Sequence, residues 1–297
     1  MTPCPLCRND SSQRLFEKGG YPFERCRECG LVTRGGPDEA PTYHDYLPQQ
    51  TTRLPELTRK RYQELLSGFE SYRQTGRYYD VGCGGGFFVE VAKDLGWKAA
   101  GLEVSRAAVE FGCERGLDLH VGTLEDVQPE QGVHDVVTLM EVLEHVPDPV
   151  GLLRQAGALL RPGGVLYLTT PCWSSLTRRI VGVEWLPISG EHVVYFTPRH
   201  LRRALKQAGL SPVTVRTANL DPHAIRAHLR PSSRLASVPG SDSAPNEAPR
   251  GGRWGATEDL RARLESKPLL RWAKGTVNTL LGWTGTGDTL RATAVRR

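Results

Sequence analysis

Residues 77–104 restrict what this chain can fold into more than any other stretch. An apolar run, Arg77-Tyr-Tyr-Asp-Val, leads into a turn containing Gly82, Gly84, Gly85 and Gly86. A helical pattern follows, and a second apolar run closes on Glu103. Strand, glycine loop, helix, strand, acid is the order of a unit that cradles a nucleoside. Glycine lets the backbone turn tightly and come close to a ligand. The helix N-terminus presents N–H groups without intrahelical partners. An acid after the second strand can accept hydrogen bonds from ribose hydroxyls.

The alternation continues downstream. Short apolar strands are expected at 77–82, 98–104, 117–122, 134–140 and 164–170, with helices at 86–95, 105–115 and 148–160 between them. Arg161-Pro-Gly-Gly reads as a helix stop and turn before the fifth strand. Thr197-Pro-Arg-His is a helix start, with Thr197 as N-cap and Pro198 in the first turn. That helix ends at Gly209, a sixth strand covers 210–218, and the alternating residues after Gly287 make a seventh. The fold class is α/β: a mostly parallel sheet with helices on both faces.

Residues 1–36 read as a separate module. Cys4-x-x-Cys7 and Cys26-x-x-Cys29 account for four of the seven cysteines. Each pair forms a knuckle, and four thiolates satisfy a tetrahedral zinc ion, as in zinc ribbons. The segment is too short to bury a core of its own, so metal would supply its folding energy. A closed four-cysteine site leaves no open coordination position, and we assign it no catalysis. Residues 37–52 read as a linker or flap. A helix over 54–74, with Leu57, Tyr62, Leu65, Leu66, Phe69 and Tyr72 at helical spacing, reads as a lid just before the nucleoside unit.

The C-terminal region differs in composition. From Arg226 onward there are thirteen Lys/Arg and six Asp/Glu, a charge of +7, which leaves −2 on residues 1–225. The body therefore has no broad basic surface for nucleic acid. Residues 230–256 are rich in Pro, Ser, Gly and Arg and are expected to be disordered. Helices are expected at 258–266 and 268–283. The second places Leu269, Trp272, Ala273, Val277, Leu280 and Trp283 along one face, beside Arg271 and Lys274. Core packing or self-association is the favoured use of that face, with peripheral membrane contact as the rival. No run of about 18 apolar residues spans a membrane. The first residues lack an export signal, so a cytoplasmic location is expected.

These motifs together resemble the class I S-adenosylmethionine (SAM)-dependent methyltransferases. Asp80-Val-Gly-Cys-Gly-Gly-Gly86 is similar to their Asp/Glu-x-Gly-x-Gly-x-Gly motif. His134 through Pro149 resembles their fourth-strand motif, closest to the ubiquinone-type O-methyltransferases, and Leu160-Arg-Pro-Gly-Gly164 is a further signature. The third glycine falls one place too early for a dinucleotide dehydrogenase. The resemblance covers 77–220 plus the last strand, 285–297, about half the chain. It implies a Rossmann-like seven-stranded sheet in the order 3-2-1-4-5-7-6, with the seventh strand antiparallel and 221–284 inserted before it.

For the site, the resemblance implies that Asp80 and Gly82 border the methionine part of SAM, and that Gly84 and Gly86 keep the loop low. Glu103 takes the ribose hydroxyls and Val104 packs on adenine. Thr123 stands where similar proteins most often carry an acid. The adenine contact beside Leu124 therefore passes to Glu125 or Asp126, or is lost.

Glu141, Glu144 and His145 fall at the carboxyl end of the fourth strand, where ligands bind in open α/β sheets. Three readings stand open. The two acids orient the cofactor loop while His145 is structural; or His145 is the general base, its ordinary pKa of about 6.5 suiting proton abstraction; or Glu141, Glu144 and His145 bind Mg²⁺ or another divalent ion together with His192. The last set resembles a Glu-x-x-Glu-His metal pattern of related methyltransferases. Tyr195, Phe196, Trp173 and Trp185 flank the acceptor side, or form a satellite core. The other histidines are expected to be surface or core residues. The expected function is methyl transfer to a small-molecule, sugar or lipid-like acceptor at oxygen. The rival is a ribbon and basic tail that guide methylation of a nucleic acid or protein.

Overall fold

The computed structural model describes residues 3–36, 54–229 and 268–297. The expected linker at 37–52, loop at 230–256 and helix at 258–266 lie outside these residues, as do the side chains of Leu269, Arg271, Trp272, Ala273 and Lys274.

The N-terminal unit has strands β1 (Ser12–Lys18), β2 (Tyr21–Cys26) and β3 (Val32–Arg34). Helix α1 (Glu56–Ser67) precedes β4 (Arg77–Val81), α2 (Phe87–Asp94), β5 (Lys98–Glu103), α3 (Arg106–Glu114) and β6 (Asp118–Val121). Then come α4 (Leu124–Val127), β7 (His134–Met140), α5 (Pro149–Leu159) and β8 (Leu160–Pro171). The chain continues with α6 (Leu176–Val181), β9 (Val194–Tyr195), α7 (Pro198–Gln207), β10 (Leu210–Ala218) and α8 (Pro222–Leu229), and ends with α9 (Pro268–Thr284) and β11 (Thr289–Arg296).

The main sheet has seven strands in the order β10-β11-β8-β7-β4-β5-β6. Strands β4, β5, β6, β7 and β8 run parallel, while β11 is antiparallel to both β8 and β10. This is the expected order read from the opposite edge. Alternation along β4 sends Tyr78 and Tyr79 to opposite faces. Tyr78 joins Leu66, Phe69, Phe88, Val89 and Val109 under α1, α2 and α3. Tyr79 joins Leu153, Leu159, Leu201 and Leu205 under α5 and α7. Helix α1 lies on α2, with Tyr62 edge-on to Phe88 at 4.7 Å and Arg59 paired to Glu90 and Asp94.

Two local expectations change. The fifth strand starts at Leu160, and the Arg-Pro-Gly-Gly turn is an irregularity inside it: pairing with β7 is interrupted between His134 and Val136. In the terminal helix, the described part of the expected stripe is not buried against the domain. Val277, Leu280 and Trp283 are exposed, Trp283 to 82%. The helix instead turns Leu281, Asn278 and Gly282 toward β10. Thr217 Oγ1 donates to the Leu281 carbonyl and Asn219 N donates to Asn278 Oδ1 at 2.9 Å. Helical periodicity marks an apolar face but cannot say which face has a neighbour.

The N-terminal unit is tied into the body. β3 pairs antiparallel with β9, making a four-stranded sheet β1-β2-β3-β9. Cys4, Leu6, Cys26 and Leu31 are buried in the same core as Leu143, Val194 and Phe196.

Candidate functional site

The glycine loop leaves the carboxyl end of β4. Gly82 has φ +74°, and a Cβ there would lie 2.5 Å from Val142 Cγ2. Gly86 has φ +77°, and its Cβ would meet Leu117 and Leu119 at 2.8 Å. Crowding therefore demands both glycines. Gly84 is different: φ is +53°, yet nothing lies within 4 Å of its Cβ position. Its backbone faces open space, as a loop that a ligand must lie across requires. Gly84 N donates to Glu103 Oε2 at 3.0 Å and Ser105 N donates to Oε1 at 3.1 Å. A carboxylate has about four lone-pair positions, so Glu103 keeps acceptors for two ribose hydroxyls.

Asp80 is 2% exposed and sits at the end of a buried relay. Tyr78 OH and Thr138 Oγ1 are 2.6 Å apart, and Thr138 Oγ1 donates to Asp80 Oδ1 at 2.5 Å. Burial, with the charge of Glu103 adding to it, outweighs that hydrogen bond and pushes the Asp80 carboxyl up to about 7. A cationic ligand above the loop would reverse part of that shift. The open cradle, the half-used Glu103 and the buried acid fit SAM, which brings an electrophilic methyl group on sulfonium.

On the adenine side both candidate acids have other partners. Asp126 is spent as a cap: Thr123 N and Oγ1 donate to its Oδ2 at 2.9 and 2.8 Å. Glu125 accepts from Gln155, and the Leu124 side chain is buried in the core. Neither acid is held toward the cradle by a described hydrogen bond.

The second group of residues follows β7. Glu141 takes a left-handed φ of +57°, a conformation uncommon outside glycine, and stands exposed at the rim. A 3-10 turn at Leu143–His145 then folds Glu144 inward. Glu144 is 1% exposed, and among the described residues neither carboxylate oxygen makes a hydrogen bond of full geometry, although its own backbone N–H and the Thr170 hydroxyl lie close enough to favour the ionised form. Burial, followed by the charge of Glu141, holds its carboxyl well above the ordinary range. His145 Nε2 lies 3.9 Å from Glu144 Oε1, and His145 Nδ1 lies 3.2 Å from the Glu191 carbonyl. A carbonyl only accepts, so Nδ1 carries the proton and Nε2 the lone pair. The His192 ring stands edge-on to His145 at 4.6 Å, and its Nδ1 is buried without a partner among the described residues. Burial lowers both imidazoles, and His145 adds to the effect on His192, which falls to about 3.

One ligand atom each from Glu144, His145 and His192 lies within 4.8 Å of the others. The structure thus brings together three of the four residues expected around a divalent ion and leaves Glu141 at the edge of the group. Neutral imidazoles and a buried carboxylate without a full hydrogen bond are a suitable donor set.

The four N-terminal cysteines also converge. Cys4 and Cys29 Sγ are 3.6 Å apart, and Cys7 and Cys26 Sγ are 3.5 Å apart. Thiolates placed tetrahedrally about 2.3 Å from zinc would be separated by about 3.8 Å. Burial opposes ionisation of Cys26, but the backbone N–H of Cys29 and the Cys7 thiol bring it down to about 7. Periodicity gives no sign of two features beside this unit: the two-residue strand β9, and His200, whose Nε2 lies 3.0 Å from the Cys29 carbonyl. Trp173, Trp185 and Tyr195 pack with Phe23 and Val32 into a satellite core shared with the N-terminal unit.

Comparison with known proteins adds the following. A family model described as a methyltransferase domain matches residues 52–215. The ubiquinone biosynthesis O-methyltransferase of Bordetella bronchiseptica is 35% identical over 161 residues, 49% of this chain and 66% of that protein. The enzyme of the same name from Xanthomonas euvesicatoria is 37% identical over 167 residues, 52% of this chain and 70% of that one. The chain thus spans about two thirds of the length of these relatives. The crystal structure of a SAM-dependent methyltransferase from Archaeoglobus fulgidus superposes with TM-score 0.51 at 18% identity, covering 81% of this chain and 94% of that one. The [4+2]-cyclase SpnF gives the same TM-score at 18% identity, over 86% and 87%. These two likenesses show the fold alone.

Proposed function

The chain belongs to the class I SAM-dependent methyltransferases, and on that premise we propose that it methylates a hydroxyl oxygen of a small-molecule acceptor at the Glu144–His145–His192 group. One observation carries the reading: Glu144 is buried, neither oxygen makes a hydrogen bond of full geometry among the described residues, and two imidazoles held neutral stand next to it. Such a buried carboxylate is costly unless a ligand or cation completes it. The ubiquinone-type relatives support oxygen as the methylated atom.

The chemistry divides between the two sites. The glycine loop and Glu103 would hold the cofactor, which supplies the methyl group, at the carboxyl end of the sheet. SAM is already activated, so in-line positioning supplies much of the rate. The remaining need is to remove the acceptor proton. His145 Nε2, which carries the lone pair because Nδ1 faces Glu191, takes it, and Glu144 beside it pairs with the imidazolium when ionised. A divalent ion such as Mg²⁺, held by Glu144, His145 and His192, would supply a Lewis acid at the same place. The N-terminal cysteines hold a structural zinc in this reading.

The test uses labelled SAM and a panel of phenolic, sugar and lipid-like hydroxyl acceptors. At least one should be methylated at oxygen, and Glu144→Gln should lower turnover by about a hundredfold while cofactor binding stays intact. Full turnover in Glu144→Gln, or SAM binding with no acceptor methylated, rejects the assignment. Loss of turnover in EDTA, restored by Mg²⁺ with zinc still bound, selects the metal form over unaided His145.

A further inference from the structure

The segment that carries His192 is fastened on both sides, and one of the two fasteners is the N-terminal unit. Arg34 N, at the end of β3, donates to the Val193 carbonyl at 2.9 Å. Val193 N donates to the Glu144 carbonyl at 2.8 Å. Val193 is thus a bridge, with β3 on one side and the turn that carries Glu144 and His145 on the other. Val32 and Thr33 pair with Tyr195 and Val194 in the same ladder. On the other flank of His192, Gly190 lies against the Tyr21 ring so closely that a Cβ would come within 2.7 Å of it. The Arg34 guanidinium stacks on that ring at 4.4 Å.

The cysteines are tied to this seam. Cys26 ends β2, and Cys26 N donates to the Leu31 carbonyl at 2.9 Å, which sets the approach to β3. His200, in the first turn of α7 just beyond β9, meets the Cys29 carbonyl. By contrast, no described hydrogen bond or ion pair joins the N-terminal unit to Gly82–Gly86 or to Glu103. Its polar ties therefore run to one half of the site only, and its link to the other half is through the shared apolar core. The unit borrows its core from the body, through Leu6 and Leu31 on one side and Phe23 and Val32 on the other, and the four cysteines hold its two knuckles against that seam.

We infer that the four-cysteine unit, once metal-loaded, is the positioning element for His192 and Glu144: through β3, Val193 and β9 it sets the acceptor half of the site without affecting the cofactor half. The inference rests on the reading of that group as the place of proton removal. Its physical content is a split. Releasing the metal should free 190–196 from β3 and displace the imidazole, while the glycine loop stays as it was. Displacement of about an ångström at a reacting group lowers turnover by about a hundredfold.

The experiment compares full-length zinc-loaded protein with protein stripped of zinc by a mercurial and chelator. Three readouts are taken: calorimetric affinity for S-adenosylhomocysteine, amide hydrogen exchange at 193–196, and methyl transfer. Stripping should leave the affinity within about twofold, abolish protection at 193–196 and lower turnover at least about tenfold, with zinc re-addition restoring both. Arg34→Pro removes the donor to Val193 without touching a cysteine and should reproduce the pattern with zinc retained; Arg34→Ala keeps that N–H and controls for the side chain. Protection that survives stripping overturns the inference. So does loss of cofactor affinity together with turnover, since the unit would then stabilise the whole fold, and so does an Arg34→Pro variant that matches Arg34→Ala. Exchange at 193–196 and its recovery with zinc are measured whether or not an acceptor is found, so failure of the functional reading is distinguished from failure of this one.

Discussion

Lowering the pH from 7 to 5.5 should weaken cofactor binding through Asp80. Burial holds this carboxyl at about 7 in the cofactor-free protein. At pH 7 about half of the molecules carry the charge, and at pH 5.5 about 3% do. If the cationic cofactor binds only above the ionised form, affinity falls about 15-fold over this interval, or about 1.6 kcal/mol. The cofactor's own amino group, with an ordinary pKa of about 7.7–8.0, goes from about 85–90% protonated at pH 7 to fully protonated at pH 5.5, a change too small to offset the loss. His192, lowered to about 3, stays neutral. Calorimetry with SAM at half-unit steps of pH measures the slope directly. Repeating it in two buffers of different ionisation enthalpy should show about 0.9 proton released per cofactor bound at pH 6. Asp80→Asn should flatten both signals. An affinity constant to within about twofold between pH 5.5 and 7, or an unchanged slope in Asp80→Asn, refutes the reasoning. The stability consequence has the opposite sense from a paired carboxylate. A raised folded-state pKa means the native protein binds the proton more tightly than the unfolded chain. The Asp80 contribution to cofactor-free stability therefore falls as pH rises from about 4 to about 7.

Two further outcomes follow from the loop and from a buried ion pair. Gly84→Ala should melt within a few degrees of the parent, its left-handed φ costing about 1 kcal/mol, yet bind SAM at least about tenfold more weakly because the new methyl group enters the cradle; Gly82→Ala should lose about 1–3 kcal/mol or more to its contact with Val142. Calorimetric unfolding and binding check both, and a Gly84→Ala protein with parental SAM affinity contradicts the cradle geometry. Asp135 is fully buried; its Oδ2 accepts from the backbone N–H of Gln74, Thr75 and Gly76, and Arg161 Nε donates to its Oδ1 at 2.6 Å. Burial raises its pKa, but Arg161 and these donors win and hold it below the ordinary value, so its stabilisation is present above the unfolded pKa and fades as pH falls through the depressed one. Asp135→Ala should cost about 3–5 kcal/mol in urea unfolding, and a loss under about 1 kcal/mol contradicts the pairing.

Local order is legible wherever period and punctuation agree. The strands from Arg77 to Met140 lie within a residue or two of their sequence boundaries, because apolar runs bounded by glycine leave little choice. The sheet order comes with the family likeness, and the fold has it. Glu144, His145 and His192 are also candidates on sequence alone, but the chain runs through α5, β8 and α6 before it brings His192 back beside the other two. Only folding makes them neighbours. What escapes the sequence is anything set by a partner distant in the chain. In α9 the described apolar residues Val277, Leu280 and Trp283 are not the ones that meet β10, which the pattern alone cannot show. Sequence leaves the acids after Thr123 open, and the fold uses one as a cap and gives the other to Gln155. His200 reads as an ordinary core or surface residue, and it touches the Cys29 carbonyl.

The sequence by itself determined the cofactor cradle and the cysteine cluster. Both are built from residues close in the chain, where turn geometry and ligand spacing act without help from elsewhere. Only the tertiary structure decided that the cysteine unit borders the Glu144–His145–His192 group. A two-residue strand has no periodicity to read, and its pairing with β3 depends on where α5, β8 and the 172–193 excursion deliver it. The join at Val193 is a property of that delivery: two backbone groups, each ordinary alone, meet because the core beneath them leaves no other place for the chain to run.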